Sequence, residues 1–284
     1  MGLLTVLANV ISSCRIIGLL AWSLLYCQAL KANEIHEVTI LTDDSYPPYS
    51  YVEDSRLKGI YVDMVLAAAD LMKNKYKIKL IAVPWQRALM EVKDGHVLGI
   101  LPPYQHITER DYIWPYSLPL MSETVVAYCH QDINIYDYFS ESTVQVTKPL
   151  HVGVNAGYMI LGEKIVAAVA DNKMVVWENK STRSNLLKLH LKRIDCYVND
   201  RFSIQSELTK LGKLRDLNFD GVAESFVIMR QTAHIGYTDS DAHDFAFKSD
   251  FIYRMDSALA QVKASAQYQG FISKYLSLVK PKVK

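Results

Sequence analysis

The sequence predicts an α/β protein made of two successive units, each a mainly parallel sheet with helices on its faces. Three observations lead there. The spacing of apolar residues switches repeatedly between two and 3.6. The resulting β–α–β rhythm pauses in a polar stretch near residues 130–150 and then restarts. A chain of 284 residues is long enough for two modest domains. Neither unit is large enough for a big core of its own, so the cleft between them is the expected place for a ligand.

The first unit begins with a strand over 38–42. Asp44-Ser45-Tyr46-Pro47-Pro48-Tyr49 must then be a loop, because two prolines fit neither a helix interior nor a central strand. Val62, Val65, Leu66, Ala69 and Met72 form one helical stripe. A strand follows over 78–83. Trp85, Ala88, Leu89 and Val92 form a second stripe that ends near Gly95. Strands over 97–101 and 123–129 complete the unit. In the second, strands are expected over 151–154, 173–177 and 194–198. Helices are expected over 159–170 and over 181–193, the latter with a Ser/Thr cap. A short strand over 244–248 precedes two amphipathic helices, about 250–263 and 265–278. Tyr268, Phe271, Ile272, Tyr275 and Leu276 share one face of the last helix.

Arg15 precedes twelve uncharged, mainly apolar residues, 16–27, and small residues follow. That run is too short for about 30 Å of hydrocarbon but suits a signal h-region, with cleavage after Ala32 or Ala29. The stretch before Arg15 is long for an n-region, which leaves open a start further downstream or a retained anchor. Tyr26 stands where a lipidation site at Cys27 would want a small residue. The full chain has 31 basic and 30 acidic side chains; loss of residues 1–32 removes Arg15 and Lys31 and leaves 29 against 30. So balanced a surface offers no electrostatic footprint for nucleic acid. Cleavage would also remove Cys14 and Cys27. Export permits a disulfide between the remaining Cys129 and Cys196, but the expectation is two small buried thiols, since nothing in the sequence brings their Cα atoms within bridging distance.

Six segments, in order, resemble the family 3 bacterial extracellular solute-binding proteins, the amino-acid-binding type of periplasmic protein. They are Tyr46-Pro47-Pro48-Tyr49-Ser50-Tyr51 with Leu57-Lys58-Gly59-Ile60-Tyr61-Val62-Asp63; Trp85-Gln86-Arg87-Ala88-Leu89; Ile107-Thr108-Glu109-Arg110 with Ser117-Leu118-Pro119-Leu120; Val152-Gly153-Val154-Asn155-Ala156-Gly157; Ile194-Asp195-Cys196-Tyr197-Val198-Asn199-Asp200; and Phe245-Ala246-Phe247-Lys248-Ser249-Asp250. The resemblance covers about 36–280. It implies a periplasmic-binding-protein-like, two-lobed clamshell of type II, with two parallel-rich sheets joined by a two-strand hinge. Lobe 1 would comprise 33–128 and 240–284, and lobe 2 would comprise 129–239, after a signal peptide at 1–32. The hinge strands would cross near Tyr128 and Tyr237.

The resemblance also implies a site. Arg110 would grip a ligand carboxylate with its planar fork, and Asp200, from the other lobe, would accept from a ligand amino group. A surface arginine and a helix-capping aspartate are the plain alternatives. Tyr46 and Trp85 would offer aromatic faces, with core packing as the alternative; Tyr51 and Arg87 are weaker candidates. Gly157, Tyr158 and Met159 would open a helix whose free N–H groups suit an anion. One departure stands out. Pro102-Pro103 replaces the small hydroxyl residues usual in binders of α-amino acids and lacks N–H donors, and Tyr104 beside it makes the pocket more aromatic. An amine, a short peptide or an aromatic acid therefore competes with a standard α-amino acid.

The function expected from this pattern is binding of a small polar solute by lobe closure, with delivery to an ABC-type importer. The alternative is a sensing module for a separate membrane partner. The expected partners are the small-molecule ligand and a membrane permease or receptor; the chain itself is expected to be a monomer. An enzyme on the same fold is the remaining class. The sequence carries no nucleophile elbow, metal-binding run or phosphate loop, so no cofactor is expected, and His106 is the one acid–base candidate near Arg110.

Overall fold

The computed structural model describes residues 35–215, 217–240 and 245–277. The signal segment expected at 1–32 lies outside them. The chain forms β1 (His36–Asp43), β2 (Ser45–Tyr46), β3 (Ser50–Glu53), β4 (Arg56–Lys58), α1 (Ile60–Leu71), β5 (Tyr76–Val83), α2 (Trp85–Lys93), β6 (Gly99–Leu101) and β7 (Ile113–Tyr116). Next come β8 (Ser122–His130), a 3-10 turn (Ile135–Tyr138), β9 (Leu150–Asn155), α3 (Gly162–Ala170), β10 (Met174–Asn179), α4 (Thr182–His190), β11 (Cys196–Asp200), α5 (Arg201–Arg215) and β12 (Val222–Thr232). β13 (Gly236–Thr238), α6 (Lys248–Ala264) and α7 (Ala266–Leu276) end the described chain.

Two five-stranded sheets define two lobes. The first has the order β5-β1-β6-β13-β7 and the second β10-β9-β11-β8-β12. β1 runs parallel to β6, and β9 runs parallel to both β10 and β11, whereas β8, β12 and β13 run antiparallel to their neighbours. α1 places Tyr61, Met64, Val65 and Ala68 inward, and α6 meets them with Phe251, Met255, Ala258 and Leu259. The chain therefore returns to lobe 1 after building lobe 2.

β8 pairs in the second sheet, against β11 and β12. The crossings therefore lie on either side of that sheet, at 117–121 and 233–235, not near Tyr128 and Tyr237. The two segments run side by side: Ser117 N donates to Ile235 O (2.8 Å), Leu120 N to Ala233 O (2.8 Å) and Ala233 N to Met121 O (3.0 Å). His234 is buried between them. Its Nδ1 meets Ser117 O at 2.7 Å, a carbonyl that can only accept, so Nδ1 carries the proton and Nε2 accepts from Thr232 Oγ1 at 2.8 Å. Burial lowers the pKa of this ring, in keeping with a neutral imidazole pinning the two crossings.

Several local expectations change. Residues 159–161 are not helical; α3 starts at Gly162, and Gly157 and Gly162 both have positive φ, which breaks the turn needed for an earlier start. No strand forms at 245–248, where a turn leads into α6 at Lys248; residues 241–244 lie outside the described chain. α4 is shorter than expected, and Ser181 caps it in a reciprocal box with Ser184.

Cys129 and Cys196 form a disulfide, which overturns the expectation of two free thiols. They stand directly opposite each other in the β8·β11 ladder, with Cα atoms 4.1 Å apart. The bond closes a loop across a sequence separation of 67. Cys129→Ser with Cys196→Ser should cost about 2–5 kcal/mol of stability in chemical denaturation. Equal stability of the parent and the double variant would refute a structural role for the bond.

Candidate functional site

The cleft between the lobes contains two adjoining chambers. Asp43, Tyr46, Trp85, Pro102, Pro103, Tyr104, His106 and Arg110 bring lobe 1 to the first, and Tyr158, Met159 and Ile160 bring lobe 2. The second chamber shares Asp43, Trp85 and Tyr158 and adds Asp44, Asn155 and Lys180 among others.

Arg110 follows a turn in which its N–H donates to His106 O at 2.8 Å. Its side chain is drawn inward: the residue is 5 % exposed, and the guanidinium lies 5.9 Å from the centre of the Trp85 ring. Nη2 donates to Gly157 O at 2.5 Å, joining the lobes. No carboxylate lies within ion-pair distance of it among the described residues. Burial pulls its pKa downward and no ion pair offsets the cost. The same burial, with the Arg110 charge nearby, lowers the pKa of His106. A buried guanidinium without an ion pair among the described residues, and with donors to spare, can seat an anion.

Both chambers are also lined by Asp43, the last residue of β1, which is 3 % exposed. Its Oδ2 accepts from Tyr158 Oη at 2.7 Å and its Oδ1 from Ser45 N at 2.8 Å. Burial raises its pKa to about 7 against those two hydrogen bonds. Tyr158 stands edge-on to Tyr46 and Trp85, with ring centres 5.6 and 6.4 Å away. The cleft is thus dipolar, with a guanidinium and a carboxyl group set among aromatic rings.

Of the residues singled out from the sequence, Arg110, Tyr46, Trp85, Tyr104 and Tyr158 meet in the first chamber. Pro102 and Pro103 are there too, and present rings where N–H donors could have stood. Asp200 is placed elsewhere. It is fully buried and does not line the cleft; Oδ1 accepts from Ser203 N at 3.0 Å, capping α5, and from Tyr49 Oη at 2.9 Å, while Oδ2 accepts from Thr124 N at 3.2 Å. Its lone pairs are spent on the protein, so the helix-capping alternative describes it and it does not face Arg110 across an open cleft.

Arg87 lies on the exposed side of α2 against Glu91, 3.4 Å away, because it is two residues past Trp85 and cannot share that residue's face. Tyr51 packs edge-on against Tyr275. Gly157 opens no helix: its carbonyl, not its N–H, is engaged, and Tyr158 N donates back to Asn155 O at 3.0 Å. The anion-binding helix start expected there is therefore not formed. Asp43, Asp44, Asn155 and Lys180 escaped sequence reasoning. Asp43 had one usable signal, a carboxylate closing an apolar strand just before the proline loop.

The solved structures include many of the same fold. The arginine-, lysine-, histidine-binding protein ArtJ from the thermophilic bacterium Geobacillus stearothermophilus superimposes with a TM-score of 0.63 at 16% identity, covering 87% of this chain and 97% of that one. A histidine kinase sensor domain with similarity to periplasmic binding proteins gives 0.65 at 15%, covering 87% and 99%. The substrate-binding protein of an amino acid ABC transporter gives 0.64 at 14%, covering 85% and 100%. No curated protein matches the sequence. With a family match spanning residues 38–278, most of its length, the chain belongs to the bacterial extracellular solute-binding proteins, family 3.

Proposed function

We propose that this protein captures a small zwitterionic solute of the amino-acid or short-peptide kind in the periplasm, closes its lobes on it, and hands it unchanged to a membrane importer. The observation that carries the reading is the buried guanidinium of Arg110, without a carboxylate partner among the described residues, in a chamber that also holds the buried Asp43. The two oxygens of a ligand carboxylate accept from two N–H groups of such a fork, and a ligand ammonium donates to Asp43 beside the Tyr158 hydroxyl. Both groups belong to lobe 1, and Tyr158, Met159 and Ile160 bring lobe 2 onto the same chamber, so a ligand held by Arg110 and Asp43 that also touches this segment prefers the closed form, which is the condition for ligand-driven closure. Trp85, Tyr46 and Tyr104 supply apolar contact in place of the N–H donors that Pro102 and Pro103 lack.

Membership of an extracellular family supports export, and so does the Cys129–Cys196 disulfide, which persists in oxidising compartments. Among the described residues no helix is long and apolar enough to cross a membrane. Delivery to an importer draws on the family and on the fold shared with a transporter-associated binding protein.

A thermal-shift screen of amino acids, amines, short peptides and organic acids, followed by calorimetry, tests the reading. A zwitterion should raise the melting temperature, and its amide and its N-acetyl analogue should each bind at least tenfold more weakly. The ligand should be recovered intact. If the best ligand lacks either an acidic or a basic group, or is turned over, the reading fails.

A further inference from the structure

Below the cleft lies a second polar cluster. Glu123, at the start of β8 in lobe 2, is 1 % exposed. Its hydrogen-bond partners are three tyrosine hydroxyls, all from lobe 1. Tyr61 Oη donates to Oε1; Tyr46 Oη and Tyr104 Oη both donate to Oε2, the latter at 2.5 Å. Beside it, Tyr49 Oη, also from lobe 1, donates to Asp200 Oδ1 in lobe 2. Tyr49 stacks on Tyr61, with ring centres 4.8 Å apart. Two of the three hydroxyls on Glu123 belong to Tyr46 and Tyr104, which line the first chamber. Four of the hydrogen bonds that join the lobes therefore converge on two buried carboxyl groups.

We propose that Glu123 is a proton-linked latch, a positioning residue that gathers Tyr46, Tyr61 and Tyr104 when the lobes close and takes up a proton as it does so. Among the described residues no cation forms an ion pair with Glu123 or Asp200. β11 contributes Asp200, a second acid; on β12, Gln231 stands opposite Glu123, while Arg230 is exposed opposite Thr124. Arg201, the next cation in sequence, is held by both oxygens of Glu224, at 2.7 and 2.8 Å. From α1 and the segment after β6, the hydrogen bonds to Glu123 come from Tyr61 and Tyr104. Two acids buried together without a counter-cation cannot both keep their charge at neutral pH. Water reaching the junction on opening would restore it.

The direction follows from linkage. In the closed form, burial first and the Asp200 charge second push Glu123 up to about 8, against the three hydroxyls, which favour the charged form. A solvated glutamate titrates near 4.3. The closed-state pKa is the higher one, so the advantage of closure is full below about 4.3 and is lost as pH rises through about 8. Asp200, pushed up to about 6 by burial, adds the same sign wherever opening hydrates it.

The inference rests on the two-lobe closure proposed above but not on the ligand, so it is tested on ligand-free protein. Small-angle scattering of the mature chain at pH 5.5 and 8.5 should show a larger radius of gyration at the higher pH. The open-to-closed ratio should rise by up to about tenfold per pH unit in between. Glu123→Gln, a neutral isostere, should remove the pH dependence above about pH 7 and stay closed there, leaving below it the contributions of Asp43 and Asp200. Tyr61→Phe removes one donor that joins the lobes and favours the charged closed form, without touching the cleft lining, so it should move opening to lower pH, and it serves alone if Glu123→Gln does not fold. A pH-independent radius in the parent, an unchanged pH dependence in Glu123→Gln, or a transition in Tyr61→Phe that stays put or moves up overturns the proposal. A failed ligand screen leaves all three readings intact.

Discussion

Replacing Arg110 with alanine is expected to weaken solute binding by about 2–5 kcal/mol, a loss on the order of thirtyfold to several-thousandfold, with the fold retained. The cost has two parts. The ligand carboxylate loses a planar, bidentate donor, and the closed form loses the bond from Nη2 to Gly157 O, which ties the lobes together beside the ligand. Arg110→Lys should recover only part of the affinity, because an ammonium is a point charge that cannot span both oxygens. Lysine would also leave the Trp85 face less well covered. Calorimetry with the ligand found by screening, with circular dichroism as a check on folding, decides the matter. Affinity within about threefold of the parent in Arg110→Ala would remove the guanidinium from the site.

Gly59→Ala is expected to destabilise the protein by about 3–5 kcal/mol, among the largest effects open to a single methyl group. Gly59 precedes α1 with φ 137°, a region that L side chains rarely adopt. A Cβ there would lie 2.1 Å from Tyr49 O and 2.8 Å from Ser50 N, backbone atoms that cannot turn aside. The close approach is what lets Ile60 N and Tyr61 N donate to Pro48 O and Tyr49 O, each at 3.0 Å. Those bonds hold the loop that carries Tyr46 and Tyr49 to the lobe junction, so the variant should bind ligand more weakly as well. Gly270→Ala provides the contrast. It lies within α7, a Cβ there meets nothing within 4 Å, and helix propensity predicts a gain of about 0.5–1 kcal/mol. Urea denaturation of both variants tests the pair; similar stabilities would show that the approach at Gly59 carries no strain.

By itself the sequence determined the class of fold. Apolar periodicity marked the strands β1, β5, β9 and β11 and the helices α1, α2, α6 and α7, because burial on one face leaves a period in the chain whatever that face packs against. It also selected Arg110, Tyr46, Trp85, Tyr104 and Tyr158, which the fold brings into one chamber. The long strand β12 and the helix α5 were not legible: β12 has no clean alternation, with two register shifts against β8, and α5 mixes polar and apolar residues around its surface.

Only the tertiary structure decided the rest. The boundary between the lobes depends on which sheet β8 joins, and strand pairing is a choice between distant partners that leaves no local mark. The disulfide depends on the register that sets Cys129 opposite Cys196. Asp200 keeps its place at the end of a strand, yet besides the local cap to Ser203 its oxygens are consumed by Tyr49 and Thr124, from distant parts of the chain. Asp43 and Glu123 gained their importance in the same way. A carboxylate on a surface is ordinary, and what made these two unusual is burial among hydroxyls supplied by the opposite lobe. The charge a side chain carries and the partner it meets are properties of the packed interior, where the loss of water makes each hydrogen bond count, and no spacing along the chain encodes them.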